Sequence, residues 1–441
     1  IDDAQGWRRL IGFDGNRPRY AVLDNEQAAI STAANLVRRQ PTFATDLDGS
    51  GCIIQVFDGS WVYDHDAFAD GDGGFRVRRI AEQARNDLTM TQADSHAMHV
   101  AGTLIADGDD DRIRGMAPGA SVASLPGYNV ATQAYLAMTH PFQTDLATIG
   151  NASLGSQDKD GGGYEADDAA FDELVRQQIW YLHFFSIGNA GDLGFDTISG
   201  DGFPKEAKNV VLVGAVADAP RDADGRLQLE PEVLDFSSRG PCDDGRIKPD
   251  LVANGQQLRS THTVTVGGAS TSTVLSGTSM ASPNAAGSAV LLQDYHQRRF
   301  GAPMPAPTLK ALLLHGADDL GEPGPDYRSG WGLVNTRRSA AIIRQAADEP
   351  ATRPIVEGRL AVGAVWQRRY QIDATDELQA TLVWWDPPLE DNQFSRGSED
   401  QRAPDLVNDL DLRLIAPDGV VHYPYLMPYV ASSFDTDTLD R

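Results

Sequence analysis

Short apolar runs bounded by turn-forming residues recur along much of the chain, at residues 52–57, 120–125, 180–185 and 210–216. Between them lie stretches with helical spacing of small and apolar residues, at 26–38, 97–105, 165–178 and 281–298. Buried strands that alternate with helices are typical of a parallel sheet covered by helices on both faces. The pattern therefore predicts an α/β fold with a mainly parallel sheet between two layers of helices.

The hydrophobic pattern changes near residues 349–354. Beyond them, short segments at 379–384 and 410–415 alternate apolar and polar side chains, which predicts a small antiparallel β domain. We expect three units: an N-terminal segment at 1–45 that packs on or leads into the main domain, the α/β domain at 46–348, and the β domain at 355–441. Because so few strands make a stable sandwich difficult, we expect the β domain to be incomplete at Arg441.

Composition narrows the class of protein. The chain has 441 residues, of which 41% are hydrophobic and 8% aromatic, as expected for a folded globular protein. No apolar run approaches the roughly 20 residues of a membrane-spanning helix, so no membrane span is expected. The net charge of −26 argues against nucleic acids and anionic membranes as partners. The chain starts at Ile1 without a signal-like segment, which we interpret as the product of processing.

The acidic balance and the two cysteines leave alternatives open. Adaptation to salt, a set of calcium sites and plain solubility all explain an acidic surface. Cys52 and Cys242 permit either one disulfide or two free thiols. Cys52 opens an apolar run, so its simplest role is that of a small buried hydrophobic residue.

The first candidate for chemistry is Ser279. Pro283 fits only near the start of a helix, so the helix predicted at 281–298 must begin close to Ser279. A serine hydroxyl at a helix N-terminus lies beside free backbone N–H groups, where an oxyanion formed in acyl transfer is stabilised. Alone, the stretch Gly-Thr-Ser would be interpreted as a simple helix cap.

Two further residues change that interpretation. Asp58 directly follows the apolar run 52–57, and the carboxyl ends of parallel strands line the ligand crevice of such a sheet. His96 begins a predicted helix, so its side chain is expected to point from the helix end toward that crevice. His99 is expected to be packed and hydrogen-bonded, because the pair lacks the i, i+4 spacing of a helical zinc site.

Asn189 supplies a fourth element. It follows an apolar run and is flanked by Gly188 and Gly191, which allow a substrate to approach. An amide at this place can donate a hydrogen bond to a developing oxyanion. By itself, the stretch Gly-Asn-Ala-Gly is an ordinary turn.

Together these stretches resemble the subtilase family of serine proteases. Residues 57–60 (Phe-Asp-Gly-Ser) are similar to its aspartate motif, 96–103 (His-Ala-Met-His-Val-Ala-Gly-Thr) to its histidine motif, and 277–283 (Gly-Thr-Ser-Met-Ala-Ser-Pro) to its serine motif. The order Asp, His, Ser along the chain is also the subtilisin order. Shorter stretches agree as well, at 115–118, 153–155, 188–191, 236–241, 248–250 and 326–332.

The resemblance implies a serine endopeptidase that cleaves polypeptides through an acyl-enzyme. Ser279 would be the nucleophile, His96 the general base and then acid, and Asp58 the group that orients and stabilises His96. Asn189 and the backbone N–H of Ser279 would form the oxyanion hole. No organic cofactor is implied.

The resemblance also implies where a substrate binds. Ser153, Leu154 and Gly155 would pair with an extended substrate as an edge strand. Gly188 would leave room beside the oxyanion hole, and Gly202 would lie near the floor of the primary specificity pocket. Which side chain is preferred at the cleaved bond is left open.

Residues 380–387 and 406–412 resemble the C-terminal jelly roll of secreted alkaline subtilases. This resemblance implies a secreted enzyme, with a monomer favoured, and bound structural Ca²⁺. The Asp-rich loops at 64–74, 107–111 and 158–163 would suit such a cation, although the spacing assigns no ligand set.

Two departures from the family motifs are present. Gly59 stands where Ser or Thr is usual, and Ala97-Met98 stands where Gly-Thr is usual; both resemble a secreted bacterial branch, so they indicate a subgroup. Met98, next to His96, is expected either to reshape the floor of the pocket or to narrow the cleft. A binding protein that lost turnover is the main alternative, and an esterase of the Gly-x-Ser-x-Gly type is disfavoured because Met-Ala follows Ser279.

Overall fold

The computed structural model describes residues 2–3, 6–14, 17–22, 24–79, 92–108, 110–126, 148–155, 163–198, 203–264, 270–372, 378–390 and 403–427. Within residues 2–22, at 92–94 and at 126 and 264, the backbone alone is described.

Three N-terminal strands form a small antiparallel sheet of their own. They are β1 (Asp2–Asp3), β2 (Gly6–Asp14) and β3 (Arg17–Val22), and β2 pairs with both of the others. Helix α1 (Asn25–Ser31) follows, begun by Asp24, whose side chain accepts the Gln27 N–H. Ala28 and Ala29 of α1 belong to the main hydrophobic core.

A seven-stranded sheet forms the centre of the α/β domain, and every neighbouring pair in it is parallel. Its strands are β4 (Ile53–Asp58), β5 (Val77–Arg79), β6 (Ser121–Pro126), β7 (Ile149–Ala152), β8 (Leu182–Ser186), β9 (Val211–Val216) and β10 (Leu251–Asn254). Across the sheet they lie in the order β10-β9-β8-β7-β4-β6-β5. Because β5 and β6 lie on one side of β4 and β7 on the other, the order reverses at β4, where parallel sheets bind their ligands.

Helices cover both faces of this sheet. They are α2 (Gln92–Ile105), α3 (Ala166–Gln177), α4 (Thr278–Phe300), α5 (Ala306–Gly316) and α6 (Thr336–Asp348). Side chains of α2, α4 and α5 belong to the larger core, whereas Phe171 and Val175 of α3 belong to a separate core on the other face. The predicted parallel-sheet fold is confirmed.

Helix α4 is the central helix of the larger core. It contacts α2 and the strands β7, β8, β9 and β10. From Met280 to Tyr295 its side chains are buried, and many of them are Ala, Gly or Ser. A helix that is enclosed on all sides needs such small residues, because they let its backbone approach the sheet closely.

A two-stranded antiparallel hairpin packs against α2. It consists of β11 (Leu258–Val264) and β12 (Ser270–Leu275). The hydroxyls of Ser260 and Thr261 donate to the carbonyl oxygens of His99 and Met98, at 2.8 and 2.6 Å. The hairpin therefore fixes the helix that carries His96, and β12 leads directly into the start of α4.

The C-terminal part contains less regular structure than its pattern predicts. Residues 379–384 form no strand, and of 410–415 only β13 (Leu414–Ile415) is a strand, paired with β14 (Val421–His422). An alternating segment becomes a strand only when a neighbour pairs with its backbone, and among the described residues 379–384 have no such neighbour. The jelly roll stays a prediction, as do the domain boundaries.

The elements predicted from apolar runs lie close to those observed. Residues 52–57 became β4, and 281–298 lie within α4. Strands β1–β3, β5, β7 and β10 and the β11–β12 hairpin were not predicted. Both Cys52 and Cys242 are free thiols in the structure, and Cys242 is buried.

Gly102 allows α2 and the hairpin to approach closely. A Cβ atom at this position would lie 2.3 Å from the hydroxyls of both Ser260 and Thr261. Ala is otherwise favoured over Gly inside a helix by about 1 kcal/mol. We nevertheless expect Gly102→Ala to lower the free energy of unfolding by about 1–3 kcal/mol, as overpacked cores do.

Urea denaturation measures this difference. Gly358→Ala is the matched control, because a Cβ atom at that glycine would meet no atom within 4 Å. A Gly102→Ala protein as stable as the wild type would show that the β11–β12 hairpin can shift away from α2 without a loss of stability.

Candidate active site

Asp58 is the last residue of β4 and points into a buried environment. Its side chain is 2% exposed. The backbone N–H of Gly59 donates to its Oδ1 at 2.8 Å. This bond uses the backbone of residue 59, so it needs no particular side chain there. The departure at Gly59 therefore leaves the support of Asp58 intact.

Helix α2 begins at Gln92, so the prediction that His96 begins the helix is wrong: His96 lies in its second turn, and its side chain is 30% exposed. Its Nδ1 is 2.9 Å from both carboxylate oxygens of Asp58. Because an ionised carboxylate only accepts hydrogen bonds, Nδ1 carries the proton and donates it to Asp58. In the neutral ring Nε2 is then the unprotonated nitrogen, able to accept a proton.

Electrostatics at His96 favours its protonated form. Burial lowers the pKa of the imidazole. The charge of Asp58 and the hydrogen bond to it together raise the pKa by more than burial lowers it, so the pKa lies above its ordinary value. A neighbouring carboxylate has this effect because it stabilises the imidazolium. The same charge would stabilise a His96 that had taken up a proton during a reaction.

Ser279 is the second residue of α4, so its hydroxyl lies at the positive end of the helix. Its Oγ donates to the carbonyl oxygen of Ser153 at 3.4 Å, and it makes no hydrogen bond to His96 in this structure of the free protein. Its backbone N–H finds no acceptor among the described residues. A free N–H at a helix start is available to a negatively charged group.

Asn189 lies just beyond β8 with an exposed side chain. Its Oδ1 accepts the backbone N–H of Thr278 at 2.9 Å and the Thr278 hydroxyl at 3.1 Å. The acceptor side of the amide is thus occupied, which directs Nδ2 away from Thr278 as a donor. Gly188 and Gly277, which precede these two residues, have φ values of 130° and 154°, which favour glycine.

The strand ends explain why these residues meet. Phe57 of β4 pairs with Ala152 of β7, so Asp58, the last residue of β4, and Ser153, the first residue after β7, lie at adjacent strand ends. Ala152 pairs in turn with Phe185 of β8, three residues before Gly188. The start of α4 lies at the same edge, because the N–H of Thr278 is bound by Asn189. The structure therefore brings Asp58, His96, Ser279 and Asn189 to one edge of the sheet.

The predicted substrate-binding residues lie at the same edge. Ser153 is buried, Leu154 is half-buried and Gly155 is exposed, directly after β7. Gly188 is buried beside Asn189. Gly202 lies outside the described residues.

The neighbours of His96 in α2 are structural. His99 is fully buried, its Nε2 donates to the Leu258 carbonyl at 2.9 Å, and burial lowers its pKa to about 3. It is packed and hydrogen-bonded, as predicted. Met98 is also fully buried, and its sulfur accepts the N–H of Tyr63. The expectation that Met98 narrows the cleft is wrong, because its side chain lies in the core; an effect on the floor of the pocket stays a prediction.

Two residues at this edge escaped sequence analysis. Asn151, in β7, and Ser282, in α4, are fully buried and hydrogen-bonded to each other at 2.7 Å. The signal in the sequence that could have found them is Pro283. A proline inside a helix leaves the carbonyl of the residue four before it, here Ser279, without its helical donor, so a polar group from outside the helix is expected nearby.

The described residues contain no group of three or more His, Cys, Asp or Glu side chains that could hold a metal ion. None of the helices described is long and apolar enough to cross a membrane.

Comparison with known proteins identifies the family. The profile of the Subtilase family (peptidase S8) matches residues 49–332. The chain belongs to the subtilase family. This match contains Asp58, His96, Asn189 and Ser279, and it confirms the resemblance found in the motifs.

Curated relatives of this subtilase vary in length. Serine protease AprX of Bacillus subtilis is 29% identical over 353 residues, which are 74% of this chain and 73% of AprX. Pyrolysin of Pyrococcus furiosus is 30% identical over 56% of this chain, but over only 19% of its own length. Subtilisin DY of Bacillus licheniformis is 28% identical over 57% of this chain and 79% of its own.

Solved structures share the fold of the subtilase. A mutant of the protease domain of PatA superposes with a TM-score of 0.51 and covers 68% of this chain and 98% of that domain. At 23% identity the similarity shows a common fold.

The pKa of His96 offers a test of the Asp58 contact. Asp58→Asn removes the negative charge that raises the pKa of His96. The burial of the imidazole, which lowers this pKa, remains. We expect the pKa of His96 to lie above about 6.5 in the wild type and to fall in the variant. NMR titration of the imidazole measures both values.

Asp64→Asn is the control, because Asp64 lies in the loop after β4 and pairs with Arg79. That variant should leave the pKa of His96 unchanged. Equal pKa values in the wild type and in Asp58→Asn would contradict the assigned interaction.

Proposed function

We propose that this subtilase is a serine endopeptidase in which Ser279 is the nucleophile. His96 is the general base and then acid, and Asp58 holds its tautomer and stabilises its protonated form. The observation that carries the proposal is the Asp58–His96 hydrogen bond of 2.9 Å at the sheet edge where α4 begins with Ser279. Because the chain spans only 19% of pyrolysin, the activity of the whole protein is part of the proposal.

The proposed reaction proceeds in two halves. Ser279 Oγ attacks the scissile carbonyl carbon while its proton passes to Nε2 of His96, and a tetrahedral intermediate forms. As the C–N bond breaks, His96 gives this proton to the leaving amine and the acyl-enzyme remains. Water then attacks the ester, passes a proton to His96, and the acid product leaves as Ser279 regains its proton. Asp58 stays ionised throughout.

Charge on the former carbonyl oxygen is stabilised by two donors. Asn189 Nδ2 is available because the Oδ1 side of the amide is bound to Thr278. The N–H of Ser279 is available because it heads α4. Preorganised donors of this kind lower the barrier because they need no reorganisation as the charge develops.

The substrate is a polypeptide in extended conformation. Ser153, Leu154 and Gly155 continue beyond β7 beside the nucleophile and can add the substrate as a further strand. Gly188 leaves space next to Asn189. We keep Gly202 as the floor of the specificity pocket, as the family resemblance implies.

Replacement of the nucleophile tests the reaction class. Ser279→Ala should abolish hydrolysis of a peptide substrate and labelling by a fluorophosphonate probe, because both need Oγ. Its melting temperature should remain close to that of the wild type. Ser288→Ala, in the same buried helix, should keep activity and labelling.

Absence of probe labelling in the intact wild-type protein at neutral pH would contradict the proposal. It would favour the alternative of a binding protein that has the fold without turnover.

Replacement of the amide tests the oxyanion hole. Asn189→Ala should lower kcat by about 10²–10³-fold with little change in KM, because the lost hydrogen bond forms in the transition state. Steady-state kinetics with a peptide anilide measures both constants. Asn35→Ala, in the short helical turn Ala34–Leu36 after α1, is the control and should have little effect. A loss below about tenfold for Asn189→Ala would remove Asn189 from this role.

We also propose secretion and a monomeric state, which rest on the family resemblance. Structural calcium stays a prediction. Two carboxylates of the described loops have other partners: Asp70 accepts backbone N–H groups at 2.9 Å, and Asp107 pairs with Arg39 at 2.9 Å. These residues do not fit a bound cation. Of the loop at 158–163, only Gly163 lies within the described residues.

A further inference from the structure

Pro283 creates an unusual demand at the start of α4. In a regular helix the N–H of residue 283 would donate to the carbonyl oxygen of Ser279, four residues earlier. Proline has no N–H, so this carbonyl loses its intrahelical partner. Buried backbone carbonyls are rarely left unpaired, because an unpaired polar group costs free energy.

Ser153 satisfies this carbonyl from outside the helix. Its Oγ donates to the carbonyl oxygen of Ser279 at 2.9 Å. In return, Ser279 Oγ donates to the carbonyl oxygen of Ser153 at 3.4 Å. The end of β7 and the residue that carries the nucleophilic hydroxyl are therefore joined by two hydrogen bonds of opposite direction.

Asn151 and Ser282 fix the direction of the bond made by Ser153. The hydroxyl of Ser282 donates to Oδ1 of Asn151 at 2.7 Å, which directs Nδ2 of Asn151 toward Ser153. Nδ2 donates to Ser153 Oγ at 3.2 Å. With one lone pair of its oxygen engaged, the Ser153 hydroxyl uses its proton for the Ser279 carbonyl. Asn151 and Ser282 are fully buried and Ser153 is 4% exposed, so water competes little for these bonds.

We propose that Ser282, Asn151 and Ser153 form a relay of hydrogen bonds that positions Ser279 for attack. The inference rests on the proposed function and deepens it. None of the three side chains needs to exchange a proton with the substrate; they act as positioning residues through the backbone of Ser279. The carbonyl of Ser279 is bound by Ser153, and the N–H of the preceding residue, Thr278, is bound by Asn189, so the backbone is held on both sides of Ser279.

Ser153→Ala tests the relay. It removes the donor to the Ser279 carbonyl and keeps the backbone of residue 153, with which a substrate would pair. We expect kcat to fall by about 10–100-fold, because small displacements of reacting groups cost this much. KM and the acid limb of the pH–rate profile should stay as in the wild type, since Asp58 and His96 are untouched.

Three further variants separate positioning from folding. Ser153→Thr keeps the hydroxyl and should recover most of the rate. Ser282→Ala frees the amide of Asn151 and should lower kcat by a smaller factor, about 3–10-fold. Ser288→Ala removes another buried hydroxyl of α4, which donates to Thr32 at 3.3 Å, and should leave kcat unchanged.

The rate of Ser279 labelling by a fluorophosphonate is the second readout. In Ser153→Ala it should fall by the same factor as kcat, while the melting temperature changes no more than in Ser288→Ala. A labelled wild type together with wild-type rates in Ser153→Ala would overturn the relay and leave the proposed function standing. A wild type that is not labelled would overturn both.

Discussion

The beginning of α4 depends on hydrogen bonds that it cannot make within itself. Its first N–H groups have no carbonyl before them, and Pro283 removes a donor one turn later. Partners come from the sheet: Asn189 after β8 accepts the N–H of Thr278, and Ser153 after β7 donates to the carbonyl of Ser279. The backbone at Ser279 is therefore set by two strand ends.

This constraint explains the small residues around the site. Gly188 and Gly277 adopt backbone conformations that favour glycine, and they bring Asn189 and Thr278 within hydrogen-bonding distance. The helix itself can approach the sheet because its buried face is lined by Ala, Ser and Gly. A larger side chain on the buried face of the helix would push the helix away from the sheet.

Much of the fold could be predicted because its strands are apolar on both faces. β4, β8 and β9 lie in such runs. The start of α4 could be predicted from Pro283, because proline fits only near the beginning of a helix. β7 (Ile149–Ala152) could not be predicted, since Gly150 and Asn151 are poor strand formers. Tertiary contacts override that preference: Gly150 leaves room for the side chains of Tyr181 and His183.

The main residues of the candidate site could be predicted because each lies in a short motif of neighbouring residues. Asp58 ends a strand and Ser279 lies at the start of a helix, and local pattern locates both; His96 lies in the second turn of α2, within a recognisable motif. The relay through Asn151 and Ser282 could not be found this way, because it joins residues 131 positions apart in the sequence. In the tail, alternation alone was insufficient, since 379–384 found no strand to pair with among the described residues.

Charge is distributed unevenly through the molecule. The net charge is −26, yet Lys205, Lys208, Lys248 and Lys310 are all buried. Lys248 and Lys310 both bind Asp250, at 2.6 and 2.8 Å. Two ammonium groups and one carboxylate give this buried cluster a formal charge of +1, so the excess of acidic groups lies outside it.

The contacts of Lys208 determine which C-terminal boundary is suitable for a recombinant version of the protein. Its ammonium binds Asp386 at 2.7 Å, both side chains being almost fully buried, and the next residue, Asn209, exchanges hydrogen bonds with the backbone of Asp386. Asp386 also accepts the N–H groups of Val407 and Asn408. A coding sequence that stops after α6 would discard half of this buried junction. The shortest piece that preserves it extends past Asn408.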